Sequence, residues 1–144
     1  MTAKQYLQKY RYIEGNYNAA LEEYKSVEQD MITLKSPDFE EHIPSGAKND
    51  PIGDMVIKLE QQKANIGMKI VKYRSQMLVI RTQIAEIEKT DNDFCLILLM
   101  RYVLHKDWKF VCSNLNVSRA QANIVHGKAL AEFDRQFAGK YEYL

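Results

Sequence analysis

The stretch from Asp107 to Phe133, DWKFVCSNLNVSRAQANIVHGKALAEF, decides the fold because it predicts two short helices joined by a tight turn. Asp107 stands at the N-cap position of the first helix. The bulky apolar residues of that helix recur at the spacing i, i+3, i+4 and i+7, on one face: Trp108, Val111, Cys112 and Leu115. We expect Trp108 to be the buried anchor of this region, packed by Tyr102, Leu115 and Phe133.

The second helix is predicted to start at a capping box. Asn116 and Val117 make the turn, and Ser118 is followed three residues later by Gln121, which is the spacing that caps a helix N-terminus. The predicted inward face consists of Ala122, Val125, Ala129, Leu130 and Phe133. A short helix held by its back face and exposed near its N-terminus is the element that a DNA major groove accepts.

The outward residues of this helix are candidate DNA contacts. Gln121 and Asn123 can each pair bidentately with adenine, so we expect them to read bases. The cationic side chains are expected to contact phosphates. The candidate phosphate contacts are Arg119, Lys128, Lys109 and Lys106.

The run NVSRAQANIVHGKALAEF resembles the recognition helix of bacterial sigma-factor region four. The longer run LLMRYVLHKDWKFVCSNLNVSRAQANIVHGKALAEF, together with the opening MTAKQYL, is similar to small phage and prophage proteins of the ArpU and RinA type. Those proteins are late-gene transcriptional regulators. The resemblance therefore implies a DNA-binding regulator in the cytoplasm of a bacterial host, with double-stranded DNA as a partner and host RNA polymerase or another host protein as a further candidate.

Two long helices precede this region. Thr2 and Gln5 form a capping box, after which apolar residues alternate in steps of four and three from Tyr6 to Leu34. A second seam runs from Val56 to Ile87 with only Lys63 interrupting it. Residues 37–50, PDFEEHIPSGAKND, contain two prolines and show no periodic spacing of apolar residues, which predicts a loop. The pattern predicts helices over about 3–36 and 51–89 that pair as an antiparallel hairpin. Thr90 and Asp93 are predicted to cap a third helix, which begins the C-terminal unit.

Charge supports the pairing, because residues 14–41 carry eight acids against two lysines, whereas residues 56–85 carry six bases against one acid. The tyrosines at 6, 10, 17 and 24 could form a base-stacking platform. Their phase on the apolar stripe favours helix packing instead. The basic residues of the second helix could likewise follow a phosphate backbone. We favour the interpretation that they are solvated positions flanking a coiled coil whose neighbouring helix is acidic.

Several function classes are disfavoured by the sequence. No phosphate-binding glycine loop, nucleophile elbow or paired catalytic carboxylates occur, so we expect no enzymatic activity and no cofactor. The three histidines and two cysteines have no metal-ligand spacing, so no metal site is expected. The longest apolar run has seven residues, Phe94–Met100, which predicts no membrane span and a cytoplasmic protein.

The sequence thus predicts an all-α protein: a coiled-coil-like antiparallel hairpin over 1–90, a three-helix helix-turn-helix unit over 91–138, and a fraying tail over 139–144. Apolar residues off the seams predict a homodimer formed through the hairpin. These residues include Leu7, Leu21, Ile32, Met55, Ile57 and Leu78. An alternative function, favoured by the outward Ala120, Ile124 and Gly127, is a phage-encoded interaction factor that grips a protein and does not read DNA.

Overall fold

The protein is all-α, as predicted. A computed structural model describes residues 1–36 and 51–144, and every element assigned in them is helical. The two long helices match the predicted ones to within two residues at each end, while the predicted loop 37–50 lies outside the described residues. The elements are α1 (Ala3–Leu34), α2 (Pro51–Ile87), α3 (Asn92–Leu98), a π-helical turn (Leu99–Val103), α4 (Trp108–Leu115), α5 (Arg119–Phe137) and a 3-10 helix (Ala138–Tyr143).

Packing divides the chain into two compact units, and each unit takes part of both long helices. One unit consists of residues 1–14 and 75–144, and the other consists of residues 15–74. This division cuts across the boundary that the sequence pattern placed at residue 90. The start of α1 and the end of α2 belong with the C-terminal helices.

In the unit of residues 15–74, α1 and α2 run antiparallel along the predicted seams. Its core consists of Ala20, Val27 and Ile66, with the partly buried Tyr24, Met31, Leu59, Ile70 and Tyr73 packed against it. Lys63, which interrupts the second seam, lies with its Nζ 3.5 Å from Glu28 Oε1 and 5.3 Å from the Tyr24 ring centroid. The interruption is therefore compensated by an ion pair and a cation–π contact.

In the other unit, α1 and α2 are also antiparallel, and the tyrosine hydroxyls of α1 bond to α2. Tyr6 Oη donates to Gln83 Oε1 at 2.7 Å, and Arg81 Nε donates to Tyr10 Oη at 2.7 Å. Both tyrosine rings are fully buried, which agrees with their predicted packing role. Leu7, which we had placed among the surplus apolar residues available for dimer contacts, is fully buried as well, so that assignment was wrong.

The link between α2 and α3 is capped one position away from the prediction. The pattern predicted Thr90 and Asp93 as the capping pair, but the N-cap is Asp91, whose Oδ1 accepts from the backbone N–H groups of Asp93 and Phe94 at 2.8 and 3.4 Å. The backbone after Leu98 widens into a π-helical turn instead of continuing as α-helix. Such turns shift the direction in which side chains emerge.

The C-terminal tail is ordered rather than frayed. Tyr141 in the 3-10 helix is 4% exposed, stacks on Tyr6 with ring centroids 4.4 Å apart, and donates from its hydroxyl to Asp134 Oδ1 at 2.6 Å. The prediction of a fraying tail was based on Gly139 and terminal position. It was wrong because a contact with the distant N-terminal helix outweighs local backbone freedom.

Candidate nucleic-acid interface

The helices α4 and α5 are joined by the predicted turn. The Asp107 side chain accepts from Phe110 N at 2.9 Å and caps α4. Asn116 ends that helix in the left-handed conformation with φ of 55°, which asparagine tolerates better than most residues. The Ser118 hydroxyl accepts from Gln121 N at 3.1 Å and caps α5. The Asp107 cap and the turn at Asn116 are confirmed, whereas only the Ser118 half of the predicted capping box forms among the described residues.

The back face of α5 holds the helix against the core. Ala122, Ala129 and Phe133 are fully buried, as is Val111 of α4, whereas the predicted inward residues Val125 and Leu130 are only half-buried. The opposite face is open. All six residues predicted to contact DNA have exposed side chains: Lys106, Lys109, Arg119, Gln121, Asn123 and Lys128.

Trp108 does not anchor the core. Its ring is only half-buried, and it lies beneath cations, with Arg101 Cζ 4.4 Å and Arg119 Cζ 3.8 Å from the ring centroid. His126 meets the same ring edge-on at 5.2 Å. The predicted anchor role was wrong, because the apolar periodicity of α4 does not reveal that two arginines pack on its first aromatic residue. Trp108 instead positions guanidinium groups at the protein surface.

Arg119 and Asn123 bind each other. They lie one helical turn apart, and Arg119 Nη1 donates to Asn123 Oδ1. The side chain of Gln121, by contrast, makes no hydrogen bond with any described residue. Of the two predicted base-reading amides, Gln121 is thus the one that is free, and Asn123 has one acceptor engaged.

The remaining cations surround exposed apolar groups. Lys106 Nζ lies 5.0 Å from the centroid of the Phe110 ring, which is 40% exposed, and Ile124 on α5 is 51% exposed. Lys109 and Lys128 form no ion pair within the described residues. The surface therefore combines unpaired positive charge with two apolar side chains.

His126 supports the surface from behind, a role that sequence reasoning missed. Its Nε2 shares a hydrogen bond of 2.8 Å with the Tyr102 hydroxyl, and the two rings stack. Burial, and then the nearby charges of Arg101, Lys4 and Arg119, lower the pKa of His126 to about 4. The ring is therefore neutral at physiological pH and supports α5 without adding charge.

We expect this depressed pKa to make stability fall in mild acid. The unfolded histidine has a pKa near 6.5, so the contribution is fully present above that pH and is lost as pH falls from about 6.5 to about 4. Because the ring is only half-buried, we expect a loss of about 1 to 2 kcal/mol. Urea unfolding between pH 7 and pH 4.5 measures it.

The variant for this measurement is His126→Gln, which keeps an acceptor for the Tyr102 hydroxyl. It should flatten the pH dependence relative to the wild type. An unchanged pH profile for His126→Gln would contradict the assignment.

Comparison of the chain with protein-family models, with curated proteins and with solved structures gives no match. Two further findings come from the described residues. They contain no group of three His, Cys, Asp or Glu side chains that could hold a metal ion. None of the helices they form is both long enough and apolar enough to cross a membrane.

Proposed function

We propose that the protein is a DNA-binding transcriptional regulator of a phage or prophage, acting in the cytoplasm of a bacterial host without catalytic activity. In this proposal the N-terminal half of α5 enters the major groove of duplex DNA. The observation that carries it is the capped, outward-facing start of α5, where Arg119, Gln121 and Asn123 are exposed while Ala122 and Ala129 hold the back face.

The distribution of positive charge supports the same proposal. Residues 101–144 carry seven Lys or Arg against four Asp or Glu, although the whole chain has a net charge of only +1. Lys106, Lys109 and Lys128 are exposed on or beside the two helices and have no acidic partner among the described residues. Unpaired cations next to a groove-binding helix favour phosphate contacts, which supply most of the affinity of such proteins.

The decisive experiment is a fluorescence-anisotropy titration against a duplex library from the source genome, at low and physiological salt. We expect binding whose affinity falls steeply with salt, and enrichment of particular sequences at physiological salt. A protein of equal net charge serves as the control. Binding no stronger than that control at low salt would eliminate the proposal.

A protein-interaction factor is the second candidate, and it is favoured by the exposed Phe110 and Ile124. Exposed large apolar side chains are found where a protein surface binds another protein. Host RNA polymerase or another host protein would be the partner. Replacing Ile124 with serine distinguishes the candidates, because it should weaken capture of a protein partner and leave the salt dependence of DNA binding unchanged.

We also propose that the protein self-associates as a homodimer through its long helices. In the unit of residues 15–74, five large exposed apolar side chains lie off the packed seam: Ile32, Met55, Ile57, Met68 and Val71. We expect the dimer mass in sedimentation equilibrium at tens of micromolar. Replacing Met68 with glutamate should shift the mass toward the monomer, because it places a charge among these exposed apolar side chains. A monomer mass for the wild type would contradict the proposal.

A further inference from the structure

A polar cavity of about 330 Å³ lies in the unit that contains α5, and none of its lining residues belongs to the predicted DNA contacts. Gln8 and Arg11 come from successive turns of α1, and Arg101, Tyr102 and His105 come from the π-helical turn and the segment after it. The volume is at the lower end of the range for small-molecule sites.

The cavity is cationic. Arg11 and Arg101 provide two guanidinium groups, and none of the residues that line it carries a carboxylate. The nearby Glu14 bonds His105 Nε2 at 2.8 Å through Oε2, so its charge is engaged at the rim. Arg11 makes no hydrogen bond or ion pair with a described residue. An uncompensated guanidinium facing a concave surface favours an anionic ligand.

The geometry of Arg101 and Tyr102 is fixed independently of any ligand. Arg101 Nη1 donates to the Lys106 carbonyl at 2.7 Å, which uses one of five guanidinium donors, and its plane rests on Trp108. The Tyr102 ring is held by its hydrogen bond to His126. A guanidinium that is already positioned loses little conformational entropy when it binds a planar or tetrahedral oxyanion.

The backbone around the cavity adopts two uncommon conformations. Arg101 and Tyr102 belong to the π-helical turn, and His105 has a left-handed φ of 55°. Each conformation is less favourable than ordinary helix or loop, and both occur often where side chains are directed toward a ligand. Together they bring Arg101, Tyr102 and His105 to one cavity beside α1.

We propose that this cavity binds a phosphate group, with Arg11 and Arg101 as paired guanidinium donors and the Gln8 amide as a further donor. Arg forks match phosphate oxygens bidentately, which lysines do not. The phosphate comes either from a small phosphate ester or from the backbone of a nucleic acid, and only the second source depends on the proposed DNA-binding function.

The single tryptophan, Trp108, reports binding in this test. Because Arg101 lies over the Trp108 ring, a ligand that binds Arg101 alters the fluorescence of Trp108. The full-length protein is titrated with inorganic pyrophosphate and with adenosine 5′-monophosphate, and adenosine serves as the ligand without phosphate. The variants are Arg11→Gln, at an exposed position, and Lys72→Gln, which makes the same charge change at an exposed position of the unit of residues 15–74.

For a small phosphate ester, we expect saturable binding by the wild type and by Lys72→Gln, no response to adenosine, and affinity weaker by at least about tenfold in Arg11→Gln. If the site takes nucleic-acid phosphate, the small ligands do not bind, and Arg11→Gln lowers the affinity for duplex DNA. The slope of log affinity against log salt concentration also becomes shallower by about one unit in Arg11→Gln. The wild type binding pyrophosphate but no DNA would leave this site intact and refute the DNA-binding function. Equal behaviour of Arg11→Gln and Lys72→Gln in both titrations would overturn the phosphate site.

Discussion

Replacing Tyr6 with alanine is expected to lower the free energy of unfolding by about 3 to 5 kcal/mol. The side chain is fully buried, and its ring lies 4.4 Å from that of Tyr141 and 5.9 Å from that of Phe133. Truncation therefore opens a cavity among three aromatic rings. It also removes the hydroxyl that bonds Gln83, whose side chain is buried. A loss of this size is a large part of the stability of an ordinary small domain.

Two variants give this experiment its controls. Tyr12→Ala changes the same residue type in the same helix, but that side chain is 74% exposed, so we expect a change within about 0.5 kcal/mol. Tyr6→Phe keeps the ring and leaves the Gln83 amide without its partner, for a loss of about 1 to 3 kcal/mol. Urea unfolding followed by circular dichroism ranks the three. Similar midpoints for Tyr6→Ala and Tyr12→Ala would refute the placement of α1 in the C-terminal core.

Local sequence signals predicted the local structure well. The caps at Asp107 and Ser118 depend only on a side chain and the next three residues, and both form. The apolar seams of α1 and α2 are buried or half-buried at every predicted position, because a 3.5-residue repeat leaves one face for the partner helix. These features need no knowledge of distant contacts.

Contacts between distant residues could not be predicted in the same way. The ring of Tyr141 packs on Tyr6, which is more than one hundred residues away, and no local pattern of the tail indicates it. Trp108 has the spacing of a core residue, yet Arg101 and Arg119 cover its ring. The π-helical turn that carries Arg101 likewise has no sequence signature in the apolar periodicity.

In the candidate interface, too, local features were predicted and contacts between side chains were missed. Its six predicted residues are all exposed, and for the four on α5 helix phase alone determines which side faces outward. The pairing of Arg119 with Asn123 was missed, although their i, i+4 spacing was a usable signal. The cationic cavity was missed because Arg11 lies ninety residues from Arg101, and only the fold brings them together.

The pairing of Arg119 with Asn123 changes what we expect of DNA recognition. If α5 enters the major groove, Gln121→Ala should cost about 1 to 3 kcal/mol on the preferred sequence and little on random DNA. Asn123→Ala should lose less discrimination, because Arg119 already occupies one of the two acceptor positions of the Asn123 oxygen and restrains the amide. Competitive anisotropy titrations with preferred and random duplexes measure both differences.

Arg119→Ala and Lys128→Ala should instead weaken binding to every DNA sequence. Each should also make the slope of log affinity against log salt concentration shallower by about one unit. Lys72→Ala removes the same charge from an exposed position on α2 and serves as the matched control. Because Arg119 and Asn123 share a hydrogen bond, the double variant should lose less affinity than the two single losses added together. Additive losses would contradict this coupling of Arg119 with Asn123. An Arg119→Ala slope equal to that of Lys72→Ala would show that Arg119 serves the packing of Trp108 and does not contact phosphate.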